Sequence, residues 1–261
     1  MDDDLQLARR ASLTGAEVGL RYFAAIAGLR RELKLDGSVV TEADRAVEAT
    51  IREVLTAARP GDAILGEEGG QGEGAARRRW IIDPIDGTAL FVEGDDRWLV
   101  LLALEEDGEI VVGVAVVPAK GRIWWARRGA GAFEATTGDL DAARRIQVAD
   151  DDTEHGLSLV PALIDPVTGE NTVPYKPEVV AGLPAALPWD LHPPLLVARG
   201  DRDLAVQTSG QVWDFAATSL IVVEAGGVYS GLAGNPQPAA GPSLFARSAD
   251  LRDETMRLLR G

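Results

Sequence analysis

The chain has 261 residues and a mass of 27.7 kDa, with 26 Lys and Arg against 41 Asp and Glu, a formal balance of −15. So much negative charge argues against a general nucleic-acid binder, whose affinity rests on neutralising phosphates with cations. The absence of cysteine excludes disulfide frameworks, thiolate nucleophiles and Cys-ligated metals, and two histidines, His155 and His192, leave little for a Ser-His-Asp triad or a multi-histidine site.

Hydrolytic chemistry in such a chain leans on carboxylates. The opening MDDDLQLARR lacks a basic stretch followed by an apolar run, and so reads as no signal peptide. No segment reaches the roughly 18 uninterrupted apolar residues of a membrane span. The expectation is a globular, cytoplasmic protein without a membrane partner.

In chain order, apolar residues recur at helical steps from Leu5 to about Leu29, predicting a long first helix. After the turn Asp36-Gly37-Ser38, Thr41 sits as an N-cap with Asp44 three residues on, opening a second helix that stops at Pro60-Gly61. Short strands follow at Ala63 to Leu65 and Trp80 to Ile82. Trp98 to Leu104, Ile110 to Val117 and Ile123 to Ala126, separated by Asp107-Gly108 and Lys120-Gly121, read as an antiparallel meander. Residues 150 to 200 carry an acidic run and scattered prolines and give no clear pattern. A helix from Asp214 to Glu224, a glycine stop at Gly226-Gly227, strands at Val228-Tyr229 and Ser243 to Ala246, and a helix from Ala249 to Leu259 close the chain. The reading divides the chain into an α+β half over 1–140 and an α/β half over 141–261.

The densest set of chemical groups is Gly66-Glu67-Glu68 followed by Asp83-Pro84-Ile85-Asp86-Gly87-Thr88. Carboxylates gathered at strand ends suit Mg²⁺, a hard cation that completes its shell with water and phosphate oxygens. Pro84 interrupts the strand, and Gly87-Thr88 can start a helix whose free N–H groups face an anion. Taken alone, these residues read equally well as turn formers and solvated surface. Asp214 in Trp213-Asp214-Phe215 reads by itself as an ordinary helix cap.

Together with D-G-S-V-V-T-E-A-D (36 to 44), G-E-E-G (66 to 69), R-R-G-A-G-A-F (127 to 133) and W-D-F-A-A-T-S-L-I-V-V-E-A-G-G (213 to 227), the D-P-I-D-G-T segment resembles the inositol monophosphatase family, closest to its bacterial histidinol-phosphatase-like branch. The resemblance implies a layered α-β-α-β-α sandwich, a homodimer, and a lithium-sensitive site with two or three Mg²⁺ ions. By the same resemblance, Glu67, Asp83 and the Ile85 carbonyl would hold one ion, and Asp83, Asp86 and Asp214 a second. Thr88 backed by Asp44 would orient or help deprotonate the attacking water, with Glu67 counted among the catalytic groups. The N–H groups of Gly87 and Thr88 would cradle the phosphate, and Asp214 would also touch substrate.

One departure concerns specificity: the family's substrate-facing acid, seven residues before Asp214, is here Gln207. A second is Pro188-Trp189-Asp190-Leu191-His192-Pro193-Pro194, which replaces the family's small-residue segment. The sequence therefore predicts a Mg²⁺-dependent phosphomonoesterase acting on a small metabolite monophosphate, with a sugar or nucleoside monophosphate favoured by the neutral amide at Gln207. Histidinol phosphate or inositol 1-phosphate is the alternative substrate, and a degenerate Mg²⁺-binding regulator the alternative function.

Haloacid-dehalogenase phosphatases space their two aspartates two apart, whereas Asp83 and Asp86 stand three apart, against that chemistry. His155 reads as a surface histidine, and His192 as an ordinary one with pocket lining as its alternative. Arg77-Arg78-Arg79 reads as a solvated loop and Trp124-Trp125 as core plus edge packing.

Overall fold

The computed structural model describes residues 3–26, 31–33, 39–71, 75–150, 157–160 and 189–260. Asp36-Gly37-Ser38, His155 and most of the proline-bearing stretch between 151 and 188 lie outside the described residues.

Helix α1 spans Asp4–Ala24, capped by the Asp3 side chain, and α2 spans Glu42–Ala58. The start of α2 is a complete capping box: Asp44 accepts from the Thr41 N–H, while the Thr41 hydroxyl accepts from the Ala43 N–H at 3.1 Å. The first helix ends earlier than its periodicity suggested, at Ala24 with Ala25 as C-cap. A two-stranded ribbon, β1 (Arg31–Leu33) and β2 (Val39–Thr41), leads into α2.

The main sheet has eight strands: β3 (Asp62–Gly66), β4 (Gly70–Gln71), β5 (Ala75–Asp86), β6 (Leu99–Glu106), β7 (Glu109–Val117), β8 (Arg122–Arg127), β9 (Gly131–Thr136) and β10 (Asp139–Ile146). Their order is β10-β9-β8-β7-β6-β5-β3-β4, with β3 parallel to β5 and the rest antiparallel. The predicted meander is therefore two strands longer. The mixed charges of Asp139–Ile146 hide β10, whose side chains are largely exposed.

Alternate residues of each strand face opposite layers. Trp80, Ile82, Val100, Leu102 and Val114 face α1 and α2, packing on Leu7, Val47 and Ile51. Ile81, Leu101, Ala103, Ala115 and Trp124 face the other way, onto α4 (Pro193–Ala198) and α5 (Val212–Glu224). Because both faces are covered, Leu99 to Leu104 is buried without interruption, which is why it reads as a continuous apolar run. Trp125 is not an edge residue: it is buried in the α1 layer, opposite Trp124.

Beyond α4 and α5 lies a second sheet, ordered β11 (Leu157–Val160), β12 (Leu204–Gln207), β14 (Ser243–Ala246) and β13 (Val228–Gly231). Ala205 and Phe245 face α4 and α5, whereas Leu204, Val206 and Leu244 face α6 (Ala249–Arg260) through Met256 and Leu259. The layers run α-β-α-β-α, as the resemblance implied. Arg78 and Arg79, expected in a loop, lie on β5 in partly buried ion pairs, Arg78 with Asp4 and Asp62 and Arg79 with Glu105.

The central helix α5 comes unusually close to the main sheet at Gly113, where a Cβ would stand 2.7 Å from the Ala217 carbonyl oxygen. Backbone on both sides leaves no flexible atom to yield. Gly113→Val is expected to lower stability by about 1–3 kcal/mol, the scale of overpacking a closed interior. A urea titration with the far-ultraviolet dichroism spectrum of the folded state unchanged would show it, and an unaltered midpoint would contradict the contact.

Candidate active site

Strand β5 carries the site because it is irregular. Asp83 pairs with Leu101 and Asp86 with Leu99, so three steps on β5 match two on β6. One extra residue is a β-bulge, placed where Pro84 cannot supply a ladder N–H. The bulge shifts the alternation, so two aspartates three residues apart come to the same side of the strand. Gly87 then turns the chain with φ 81, a left-handed conformation that favours glycine, into α3 (Thr88–Glu93).

Oxygens of Asp83, Asp86 and Asp214 all lie within 4.8 Å of one another. Asp214 arrives from the far side, at the third position of α5, where one of its oxygens accepts the Gln211 N–H and closes a capping box. It is thus a capping residue and a member of the cluster at once. Asp44 repeats the arrangement on α2: Oδ2 accepts from the Thr41 N–H at 2.9 Å and the Thr41 hydroxyl at 2.6 Å, and Oδ1 accepts from the Thr88 hydroxyl at 3.2 Å. The Thr88 hydroxyl also reaches the Ile85 carbonyl at 3.0 Å, and its single hydrogen serves one of the two at a time.

Burial and like charge strain this cluster. Asp83 is 1% exposed, and desolvation, reinforced by the charges of Glu67, Asp86 and Asp214, holds its pKa well above the ordinary value. Desolvation, with help from Asp86, pushes Asp214 up to about 7. Asp44 is raised as well, chiefly by burial, against the lowering effect of its Thr41 and Thr88 hydrogen bonds. Among the described residues no Lys or Arg pairs with Asp83, Asp86 or Asp214, and Asp83 Oδ1 is buried without a partner. Oxygen-only donors, excess negative charge and an orphaned carboxylate oxygen together fit a divalent cation.

Glu67 follows the end of β3, where its N–H bonds the Ile82 carbonyl at 3.2 Å, next to Asp83. It stands outside the tightest trio yet acts on Asp83 by its charge. Its loop is held by a residue that sequence reasoning missed. Glu48, buried on α2, accepts the N–H groups of Glu68 and Gly69 at 2.8 Å each and pairs with Arg52 at 2.7 Å. Gly66 leaves room for it, since a Cβ there would meet the Glu48 carboxylate at 2.3 Å. The available signal was its place one helical turn beyond Asp44 on the same face of α2.

Gln207 ends β12 and is 4% exposed, with Oε1 lacking a partner. Asp203 lies at the opposite end of that strand, paired with Arg247 at 2.9 Å, and Asp190 is exposed. His192 is not an ordinary surface histidine. It is 3% exposed, and its Nε2 stands 3.2 Å from Asp86 Oδ2.

The chain belongs to the inositol monophosphatase family, whose sequence profile matches residues 2–259. It is 38% identical over 268 residues to a histidinol-phosphatase of Mycobacterium tuberculosis, covering 98% of each chain. It is 37% identical to an inositol-1-monophosphatase of Mesorhizobium japonicum, over 87% of this chain and 84% of the relative. Among solved structures, the extragenic suppressor protein suhB of Bartonella henselae superposes with a TM-score of 0.81 at 27% identity, covering 98% of this chain and 97% of that one. These matches define a phosphatase of this family, with the layered fold described above.

The raised carboxyls make a prediction for the metal-free protein. A group with a raised folded pKa binds more protons folded than unfolded between its two pKa values, so its contribution to stability is lost as pH rises. For Asp214 that window runs from its ordinary 3.8 to about 7. In chelator, the stability of the wild type relative to Asp214→Asn should fall across this window and level off above it. Thermal melts at a series of pH values test this, and a difference that rises with pH would contradict the assignment. Added Mg²⁺ should raise the wild-type melting temperature more at pH 8 than at pH 5.

Proposed function

We propose that the protein is a Mg²⁺-dependent phosphomonoesterase of small metabolites, in which Glu67, Asp83, the Ile85 carbonyl, Asp86 and Asp214 hold two or three ions. The observation that carries this reading is the trio of carboxylates within 4.8 Å, one oxygen of it buried and unpartnered. When bound, Mg²⁺ supplies positive charge to the phosphate oxygens and makes water acidic enough to attack near neutral pH.

The chain's own groups do the rest. Thr88 Oγ1 orients the attacking water and relays its proton toward Asp44 Oδ1, 3.2 Å away, a carboxylate whose raised pKa suits it as acceptor. The N–H groups of Gly87 and Thr88, at the turn into α3, hold the phosphate. Glu48 keeps the Glu67 loop in place.

With Mg²⁺, Asp83→Asn and Asp214→Asn should each lower turnover of p-nitrophenyl phosphate by roughly 10²–10³-fold or more, the scale of losing preorganised charge stabilisation. Folded content should stay unchanged by circular dichroism. Because water is the nucleophile, rapid quench should trap no aspartyl-phosphate. Retained turnover in either variant, or a trapped phosphoenzyme, would overturn the reading.

For the leaving group, Gln207 offers a neutral amide that can both donate and accept hydrogen bonds. Such an amide suits a neutral, hydroxyl-bearing leaving group, since it carries no charge to pair with a cationic amine. A sugar or nucleoside monophosphate is the first reading. Histidinol phosphate is the second, favoured by the 38% identical relative that carries that name. Steady-state kinetics on sugar, nucleoside, inositol and histidinol monophosphates should give a sugar or nucleoside ester a higher kcat/KM than histidinol phosphate or inositol 1-phosphate, and a clear preference for histidinol phosphate would refute that role of Gln207.

A further inference from the structure

We infer that Glu48 and Arg52 together clamp the loop that carries Glu67, and that as positioning residues they set the affinity of the ion to which Glu67 is assigned. The inference rests on the phosphatase reading above, in which neither residue touches metal or substrate.

The two side chains stand one turn apart on α2, with the acid N-terminal to the base, the favourable order for such a pair. On an open helix face a pair of this kind contributes little. Here the Glu48 side chain is buried and both of its oxygens are engaged: Oε1 accepts the Arg52 Nε–H at 2.7 Å and the Gly69 N–H at 2.8 Å, and Oε2 accepts the Glu68 N–H at 2.8 Å. Arg52 reaches past it and donates from Nη2 to the Gly70 carbonyl at 2.8 Å. Three consecutive loop residues are thus gripped from one helix turn by charge-assisted hydrogen bonds. A Cβ at Gly69 would stand 2.7 Å from Glu48 Oε1 and 3.0 Å from Arg52 Nη2, so the clamp lies against bare backbone on both sides of Glu67-Glu68.

The hairpin it grips gives no apolar reason for a buried ion pair. Residues 67 to 70 are Glu-Glu-Gly-Gly, half-buried to exposed, and bring no apolar side chain to the core. Strand β4 is two residues long and ends the order of the main sheet, paired with β3 alone. So short an edge restrains its loop weakly, and segments of this kind open most readily. What the loop does carry is Glu67, whose N–H bonds the carbonyl of Ile82, the residue before Asp83. Release of the clamp keeps that carboxylate but not its place, so binding must then supply the order and loses affinity. Asp83, Asp86 and Asp214 sit on β5 and α5, outside the clamp's reach.

The test compares full-length wild type, Arg52→Met and Glu48→Gln by Mn²⁺ binding, read from the electron paramagnetic resonance of the free ion. Mn²⁺ shares the oxygen ligands and octahedral geometry of Mg²⁺. The two substitutions remove opposite charges, so plain Coulomb attraction would tighten binding in Arg52→Met and weaken it in Glu48→Gln. The clamp requires both to weaken it, with one dissociation constant rising about tenfold, the equivalent of about 1.4 kcal/mol. A brace for the fold alone would lower the melting temperature in chelator and leave Mn²⁺ binding unmoved. Opposite shifts, or no shift, would overturn the inference. If Glu48→Gln does not fold, Arg52→Met decides alone, since that side chain is partly exposed: weaker binding supports the clamp, and equal or tighter binding refutes it.

Turnover gives a second readout. With p-nitrophenyl phosphate, the Mg²⁺ concentration for half-maximal rate should rise about tenfold in Arg52→Met, while kcat recovers at saturating Mg²⁺ because every assigned ligand and proton acceptor is retained. A kcat that stays low at saturating Mg²⁺, with the half-maximal concentration unmoved, would contradict a positioning role. Failure of the wild type to bind Mn²⁺ or to hydrolyse p-nitrophenyl phosphate would instead defeat the phosphatase reading.

Discussion

Much of this molecule is organised around holding three carboxylates within 4.8 Å, Asp83 buried and Asp86 and Asp214 partly so. Among the described residues no Lys or Arg neutralises that repulsion, which adds to desolvation, the larger cause, in raising the pKa values of Asp83 and Asp214. Folding must therefore impose the arrangement through interactions made elsewhere. The two packed faces of the main sheet hold β5 in register, the bulge beyond Asp83 aims two aspartates the same way, and close contact at Gly113 brings α5 within reach. A site of this kind stores unfavourable electrostatics that a divalent cation converts into affinity.

Capping chemistry is how helices deliver acids here with little freedom of movement. Asp44 and Asp214 both occupy the third position of a helix, and each has one oxygen committed to a backbone N–H. That bond fixes the rotamer, so the other oxygen points to a defined spot, which for Asp44 is the Thr88 hydroxyl. The stabilisation of a helix start and the orientation of a functional group become one interaction. Glu48 extends the same economy, since it aims the Glu67 loop rather than acting on substrate itself.

Legibility in the sequence followed this division. The α2 cap, the buried runs of β6 and β7, the closing strand and the helix that delivers Asp214 were readable because each obeys a local periodicity or capping rule. Asp83 and Asp86 were legible as chemistry only through motif resemblance, because strict alternation would put residues three apart on opposite faces, and no propensity announces a bulge. Strand β10 was hidden by its charges. Arg78 and Arg79 were misread because their ion pairs are made with Asp4, Asp62 and Glu105, residues that no local window contains. Glu48 is missed for the same reason, and His192 is read with pocket lining only as its alternative: each is explained by a partner far along the chain.

The two halves of the problem therefore separate along the chain. The acids that define the reaction class come mainly from the first sheet and its helices, where family resemblance is dense. Gln207 and His192 come from the second sheet and the start of α4, where resemblance is thinnest. Gln207 Oε1 and His192 Nδ1 are both buried without a partner among the described residues. A neutral amide tells little until its orientation is known, because it can play either part. The carboxylates carry no such ambiguity once ionised: they can only accept hydrogen bonds or bind cations. That asymmetry is why reaction class can be argued from residue identity, while substrate preference turns on orientations that residue identity does not give.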